Sequence, residues 1–347
     1  MNCCRCGAVM RYDPDSYGII CDYCGYKKEM HRPEEMAVEE EQDFSTAMRG
    51  AVTDWGLATR TVICDRCGAV SIYDINQISG ICPFCGATAL ITPEASEQVI
   101  APDSIIPFSV SRDEAVKKFY QWKKWDLLAP EEFRTGKQVL GNLTGVYIPF
   151  WTFDADTVST YDGNFAYVSS GEDYEKVDYR KKKGVIELFI DDYCVCASRR
   201  FINDTIISRV ASFKASDLVP YTPEALPGFA AEKYTIGIDE AWMLAKNGIP
   251  SVITKAACDK EKADSCKNIQ MSIEYHNMKY RYVLVPVWLS VSNYMGKTYN
   301  VAISGHTGIC EGDKPHSPIK VALMYLILVG IPVGFMLLIF LSCLIIK

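Results

Sequence analysis

The sequence predicts four parts: two small cysteine-rich units, an α+β domain with a mainly antiparallel sheet, and one C-terminal membrane helix. Three observations support this fold class. Eight of the 15 cysteines form four Cys-x-x-Cys-Gly motifs before residue 90, residues 99–310 alternate strand-like and helix-like segments, and residues 321–346 contain no charge. With 347 residues and a charged fraction of 23%, the chain can form several folded units and is not disordered overall.

An internal repeat contains the cysteine motifs. Residues 3–25 and 64–86 are identical at 12 of 23 positions without a gap, and 14 residues separate the two cysteine pairs in each copy. Four thiolates in this arrangement are typical of a closed tetrahedral zinc site. The glycine after each pair permits the backbone turn that directs amide groups at the sulfurs. Each copy therefore predicts a zinc ribbon with one ion.

The repeat also selects the ligands. Cys4 is excluded, because the second copy has Asp65 at the equivalent position. Redox-active pairs would need a βαβ context that the sequence lacks. Four protein ligands leave no open coordination position, so we expect two structural zinc ions that activate no water. The predicted ligands are Cys3, Cys6, Cys21 and Cys24 in the first site, and Cys64, Cys67, Cys82 and Cys85 in the second.

The acidic charge of the chain is concentrated near its N-terminus. Residues 1–100 contain 8 Lys and Arg against 15 Asp and Glu, which accounts for the whole net charge of -7. Between the repeats, Glu29–Asp43 has seven acids against one arginine. Such a run repels a phosphate backbone, so nucleic-acid binding by the ribbons is the alternative that we disfavour. We interpret the run as a solvated linker or exposed helix; an acidic docking segment for a basic partner is the alternative.

Two helices are predicted in the α+β domain, one in each half. Ser111-Arg112-Asp113-Glu114 is a capping box that opens a helix through about Trp125. Asp239-Glu240-Ala241 opens the second helix, and Gly248 followed by Pro250 is expected to end it. The halves, about 103–200 and 220–310, therefore start in a similar way.

Aromatic strands follow both helices. Gly145–Asp154 contains Pro149-Phe150-Trp151, and Tyr282–Val291 contains Pro286-Val287-Trp288. Each is followed by a predicted Tyr/Gly turn and a further strand, Tyr161–Tyr167 in the first half. We infer an internal duplication, in which two copies of a helix plus a hairpin pack as one domain.

No constellation of catalytic residues is recognisable in the sequence. It has no phosphate-binding glycine loop, no Gly-x-Ser-x-Gly and no His-Glu-x-x-His, and its four histidines lack paired metal-ligand spacing. Asp154-Ala155-Asp156 could bind a cation, but we interpret it, like Asp191-Asp192, as a polar strand end. The basic run Arg180–Lys183 could contact anionic lipid, although a solvated loop is the favoured interpretation. We therefore expect a protein that is not an enzyme.

The C-terminus predicts a single transmembrane helix over residues 319–346. The 26 uncharged residues from Val321 to Ile346 exceed the roughly 20 that a span requires. Gly330, Pro332 and Gly334 predict a kink near its middle. The N-terminus carries no secretory signal and the thiols need a reducing compartment, so we expect a tail-anchored protein of the cell membrane with its N-terminal domains in the cytoplasm.

The predicted domains are zinc ribbon 1 at 1–28, an acidic linker or helix at 29–60, zinc ribbon 2 at 61–92, the α+β domain at 99–315 and the transmembrane helix at 319–346.

The chain resembles the bacterial TFIIB-type zinc-ribbon membrane proteins, which are often mislabelled primosomal helicases. Besides the ribbons, the matching segments are Ile106-Pro107-Phe108, Pro130 to Phe133, Val146 to Ala155, Pro223 to Tyr234, Val285 to Trp288 and Gly296 to Gly308. No helicase motif is present, so that label does not follow. Family members tend to be encoded beside SPFH (stomatin/flotillin-like) and phage-shock-A-like envelope-stress proteins, which implies such a partner by association.

Together these observations predict a membrane-anchored adaptor that recruits a protein partner at the cytoplasmic face, with a possible role in envelope stress. The hairpin tips near Tyr12–Tyr17 and Tyr73–Ile78 are the expected contact surfaces, because aromatic side chains suit protein interfaces. The alternative function is a membrane-tethered regulator whose zinc ribbons bind nucleic acid.

Overall fold

The computed structural model describes residues 1–30, 41–46, 53–77, 80–88, 90–91, 99–124, 126–170, 175–201 and 204–345. Half of the predicted acidic linker lies outside these residues, as do Trp125 and Ile78.

The strands and helices follow in chain order. The strands are β1 (Arg11–Asp13), β2 (Gly18–Ile20), β3 (Lys27–Glu29), β4 (Gln42–Asp43), β5 (Thr59–Cys64), β6 (Val70–Asp74), β7 (Leu90–Ile91), β8 (Ser104–Ile105), β9 (Thr144–Ser170), β10 (Glu175–Cys196), β11 (Val219–Pro220), β12 (Ala230–Glu232), β13 (Ser265–Tyr294), β14 (Lys297–Ser304) and β15 (Cys310–Gly312). The helices are α1 (Arg112–Trp122), α2 (Glu131–Thr135), α3 (Lys137–Gly141), α4 (Thr205–Val210), α5 (Ile238–Glu261), α6 (Pro318–Tyr325) and α7 (Ile331–Ile345), with a π-helical turn at Leu326–Gly330.

Two sheets organise the described chain. The small sheet has the order β1-β2-β3, and the large one has the order β11-β8-β13-β9-β12-β6-β5-β7, with β10 paired to β9 and β14 paired to β13. Only the β8–β13 and β12–β9 pairs are parallel among the described strands, so the predicted, mainly antiparallel α+β domain is confirmed. The second cysteine-rich unit extends the large sheet, because β6 pairs with β12.

The two central strands, β9 and β13, receive equivalent neighbours from the two halves. Strand β8 runs parallel to β13, with Ser104 opposite Val283. Strand β12 runs parallel to β9, with Ala230 opposite Val146. A pseudo-twofold axis between the central strands relates these two pairings.

Two tryptophans, one in each half, also make equivalent contacts with the other half. The Trp288 Nε1–H donates to the carbonyl of Val110 at 2.9 Å, just before α1, and the Trp151 Nε1–H donates to the carbonyl of Ile236 at 2.9 Å, just before α5. Each half thus supplies the tryptophan that fixes the helix entrance of the other half. These contacts support the predicted duplication.

Side chains alternate between two hydrophobic cores, one on each face of the large sheet. In β9, Tyr147 and Trp151 belong to the core that contacts α5, whereas Val146, Ile148 and Phe150 belong to the core on the opposite face. This alternation is the period of two that a strand imposes. The central strands are therefore covered on both faces.

Helix α5 does not end at Gly248 and Pro250, so that prediction was wrong. The helix runs on to Glu261, because the apolar stripe that buries Ile249 and Ile253 continues to Ala257. Gly248 has a packing role instead, since a side chain there would overlap the Tyr193 hydroxyl. Packing against the sheet outweighs the local cost of an interior proline.

The turn predicted before Tyr161–Tyr167 is also wrong. Strand β9 continues through this region over 27 residues and pairs with both β10 and β13. Gly163 marks a close approach rather than a turn, because a side chain at this position would lie 3.1 Å from atoms of Ile269. A glycine inside a strand often marks a site where another part of the backbone approaches closely.

The C-terminal helix is confirmed as long and apolar enough to cross a membrane. Pro318–Met336 has a mean hydropathy of 2.1, and none of this segment is buried against the rest of the protein. The π-helical turn at Leu326–Gly330 lies immediately before Pro332, whose missing N–H disturbs the hydrogen-bond ladder. The irregularity therefore falls in the region of the predicted kink.

Candidate metal centres

The structure brings the eight predicted ligand cysteines together in two groups of four. In the first cluster (Cys3, Cys6, Cys21, Cys24), the Sγ atoms of Cys3 and Cys24 are 3.6 Å apart, and those of Cys6 and Cys21 are 3.5 Å apart. In the second cluster (Cys64, Cys67, Cys82, Cys85), the corresponding distances are 3.5 Å and 3.7 Å. The four sulfurs of each cluster lie within 4.8 Å of one another.

The four cysteine pairs adopt the same backbone turn. In the first pair, the Gly7 N–H donates to the Cys3 carbonyl at 2.9 Å, and the Cys3 N–H donates to the Ala8 carbonyl at 2.7 Å. The other three pairs repeat both hydrogen bonds. Gly7 has a φ of +75°, in the left-handed region that favours glycine, and its three equivalents share this conformation. The structure therefore agrees with the prediction that these glycines permit the backbone turn at each cysteine pair.

Hydrogen bonds favour the thiolate at the first cysteine of each cluster. Burial raises the pKa of Cys3, but the backbone N–H groups of Arg5 and Cys6 outweigh it and lower this pKa to about 7. Burial also raises the pKa of Cys64, and hydrogen bonds from the Cys67 backbone and the Cys85 thiol lower it to about 7. Thiolates are the form in which cysteines bind metals.

The sulfur geometry fits a tetrahedral ion. Metal–sulfur bonds of about 2.3 Å imply sulfur–sulfur edges of roughly 3.8 Å. The measured contacts of 3.5–3.7 Å are close to that value and far from a disulfide bond of about 2.05 Å. The four converging sulfurs therefore position each cluster to bind a metal ion.

The first cluster is built into the main core. Cys3 and Cys21 are buried with Tyr12, which is 1% exposed and donates its hydroxyl to the Phe108 carbonyl at 3.1 Å. Tyr73, in the second unit, is 3% exposed. The predicted aromatic contact surfaces at the hairpin tips are therefore wrong for both tyrosines, because they pack inward.

Arg200 connects the second cluster with the domain. Its Nη2 donates to the Cys67 carbonyl at 3.2 Å, and its guanidinium lies 5.3 Å from the centroid of the Phe84 ring. Cys64 and Cys82 are buried in the core that includes Phe84. Each cluster is thus tied to a different face of the large sheet.

No sequence pattern predicts the partly buried charged cluster that Glu41, Asp154, Asp192 and Arg281 form. The three carboxylates lie within 4.8 Å of one another. The Arg281 guanidinium lies 3.5 Å from the Glu41 carboxylate and 3.8 Å from that of Asp192. The prediction that Asp154 and Asp192 are strand ends is wrong, because they lie inside β9 and β10. No spacing rule connects them with Glu41, which precedes them by more than 100 residues. The arginine supplies the compensating charge.

We expect Glu41 to make stability depend on pH. Burial, followed by the neighbouring Asp154, raises the pKa of Glu41 from 4.5 to about 8. Because the folded state holds this proton more tightly, its contribution is complete below pH 4.5 and is lost as the pH rises through 8. Unfolding by urea in detergent should show the wild type losing about 2 kcal/mol more than Glu41→Gln between pH 5.5 and 7.5. Parallel pH profiles of the two proteins would contradict this.

The four basic side chains of Arg180–Lys183 contact three carboxylates within the protein. Lys181 and Lys183 contact Asp162 at 3.5 Å and 2.7 Å, and Lys182 contacts Glu261 at 3.4 Å. Arg180 pairs with Asp178 at 2.9 Å. The run lies in strand β10 and not in the predicted loop.

Comparison with known proteins finds similarity to a protein that is itself uncharacterized. The chain is 31% identical over 231 residues to an uncharacterized protein, YdjG, of Bacillus subtilis (strain 168). The match covers 64% of this chain and 66% of the relative, just under two thirds of its length. No family model matches the chain, and no solved structure matches it.

Proposed function

We propose that this protein is a non-enzymatic, membrane-anchored zinc protein that holds a protein partner at the cytoplasmic face of the cell membrane. The observation that carries the proposal is four exposed apolar side chains on one face of strand β10, in a protein with two four-cysteine clusters and an apolar C-terminal helix. The proposal has three steps: the metal, the membrane anchor and the partner surface.

Zinc is the metal that best fits the clusters. Four thiolates in a closed set with tetrahedral spacing favour zinc or iron, and hard cations such as Mg²⁺ prefer oxygen ligands. Four protein ligands would complete the coordination of each ion, so its role is structural. Elemental analysis of the reduced, intact chain should find two zinc ions; iron, or fewer than two ions, would contradict this step.

The anchor proposal follows from the exposed apolar helix. Leu326, Leu328 and Phe335 are each at least 60% exposed, and an apolar surface of this size is not stable in water. A lipid bilayer would cover it. Cysteine clusters that bind metal need a reducing compartment, which supports a cytoplasmic location for the N-terminal domains.

The partner surface is one face of β10. Val177, Tyr179, Val185 and Phe189 are 44–55% exposed on this face, which they share with Lys181, Lys183 and Glu187. Ile186 and Ile190, on the other face, are buried. Strand β10 pairs only with β9 among the described strands, so its outer edge can accept a partner strand.

The charges near this face favour a protein over nucleic acid. The four basic residues of Arg180–Lys183 already contact carboxylates, which reduces the positive charge available to phosphates. The family resemblance suggests an SPFH or phage-shock-A-like partner, by analogy alone.

The partner proposal can be tested by recruitment to membranes. We expect an SPFH or phage-shock-A-like candidate to follow the full chain to the membrane, and Val185→Lys with Phe189→Glu to abolish this. Met243→Lys is the matched control, because Met243 is 67% exposed on α5. Unchanged recruitment by the double variant would refute this surface, and a nucleic-acid shift by the purified chain would favour the alternative regulator.

A further inference from the structure

The loop between α1 and α2 is fixed to the beginning of the C-terminal helix. The Ser317 N–H donates to the Leu128 carbonyl at 2.9 Å. The Lys320 Nζ donates to the Ala129 carbonyl at 2.7 Å. Both bonds come from the first turn of the helix, so they hold the loop beside the start of the helix.

An apolar groove lies between this loop and the helix. It has a volume of about 670 Å³ and is lined on its apolar sides by Leu127, Leu128, Leu323, Met324, Ile327 and Leu328. Leu127 is 75% exposed and shares one exposed apolar surface with Leu323 and Leu328 of the helix. Leu328 lies eight residues beyond Lys320, or about 12 Å along the helix. The groove therefore extends along the uncharged segment.

Cations lie at the opposite end of the groove. Arg134 and Lys320 line it together with Asp126, whose carboxylate accepts the Ala129 N–H at 3.1 Å. Arg134 also contacts Glu131 at 3.2 Å and remains half exposed. Basic side chains next to the first apolar turn of a spanning helix lie at the level of lipid phosphates.

We propose that this groove binds one anionic phospholipid. Its acyl chain contacts the leucines of the loop and the helix, and its phosphate lies between Arg134 and Lys320. Leu127 enters the hydrocarbon layer beside the helix and forms a second membrane contact. This inference rests on the proposed function only in requiring that the C-terminal helix spans the membrane.

The test uses the full chain in phosphatidylcholine vesicles that contain phosphatidylglycerol with a photoreactive acyl chain. We expect labelling of the peptide that contains Leu127 and of the C-terminal helix, and none of the peptide that contains Met243. In a second set of vesicles, phosphatidylcholine carries the photoreactive acyl chain instead. Labelling of the Leu127 peptide should then be lower by about fivefold for each cation that contacts the anionic headgroup. Arg134→Gln should remove much of this preference, whereas Arg199→Gln, on an exposed pair elsewhere, should keep it.

The outcomes distinguish a failure of the proposed lipid site from a failure of the proposed membrane anchor. Labelling of the helix without the Leu127 peptide, or equal labelling by the two lipids, overturns the lipid site and leaves the anchor intact. An unlabelled helix overturns the anchor itself. Leu127→Asp should abolish the loop labelling without altering the folding transition, because Leu127 is exposed.

Discussion

Cys21→Ser should remove one metal ion and destabilise the whole α+β domain, with a loss of at least about 4 kcal/mol in the free energy of unfolding. The reason is that the first cluster belongs to the main core. Cys21 is completely buried, and Tyr12 packs 6.2 Å from Phe229, ring centroid to ring centroid. Without the ion, the short strands of this unit cannot hold Tyr12 against the core.

Cys4→Ser is the matched control for this experiment. Cys4 is exposed and does not belong to the cluster, so the variant should keep both ions and its full stability. Metal content and urea unfolding in detergent provide the two measurements. If Cys21→Ser lost an ion while the unfolding of the α+β domain stayed unchanged, the first unit would be an independent domain, as the sequence alone had suggested.

Arg281→Met should cost about 3–5 kcal/mol in the free energy of unfolding at neutral pH. Arg281 is 6% exposed and contacts Glu41 and Asp192, with Asp154 beside them. Methionine preserves much of the side-chain volume but leaves the buried carboxylates without a compensating charge. The cost arises from these uncompensated charges rather than from the lost pair itself.

The control for Arg281 is an exposed ion pair of similar chemistry. Arg199 contacts Glu240 at 2.5 Å, with both side chains more than 40% exposed. Arg199→Met should therefore change the free energy of unfolding by less than about 1 kcal/mol. Equal losses in the two variants would contradict a special role for the buried cluster. The double variant Arg281→Met with Glu41→Gln should recover part of the loss, because glutamine needs no proton uptake on folding at neutral pH, whereas Glu41 does.

Local chemistry made the cysteine clusters predictable. The ligand set follows from the repeat, because two Cys-x-x-Cys-Gly turns at a fixed separation can meet only around one centre, and each Gly φ reproduces the expected turn. The apolar C-terminal helix is equally local, since its length and lack of charge need no partner element. The helix start at Arg112 followed from the Ser111 cap, which accepts the Glu114 N–H.

Predictions failed where distant residues compete with local signals. Gly248 and Pro250 look like a helix end, but contact with Tyr193 and the buried stripe of α5 keeps the helix intact. The Tyr/Gly pattern after Gly145–Asp154 looks like a turn, yet β10 and β13 on both sides hold β9 extended. In both cases the free energy of packing exceeds a local preference of a few kcal/mol.

The sequence by itself determined the two four-cysteine sets, the mainly antiparallel α+β class and the apolar helix, because each depends on spacing or composition within a short segment. Only the tertiary structure decided that Tyr12 faces the core and that Glu41, Asp154 and Asp192 surround Arg281. It also decided that the loop at Leu127 lies against the C-terminal helix. These features join residues that are far apart in the chain, and their geometry depends on burial and charge compensation, which no local pattern records.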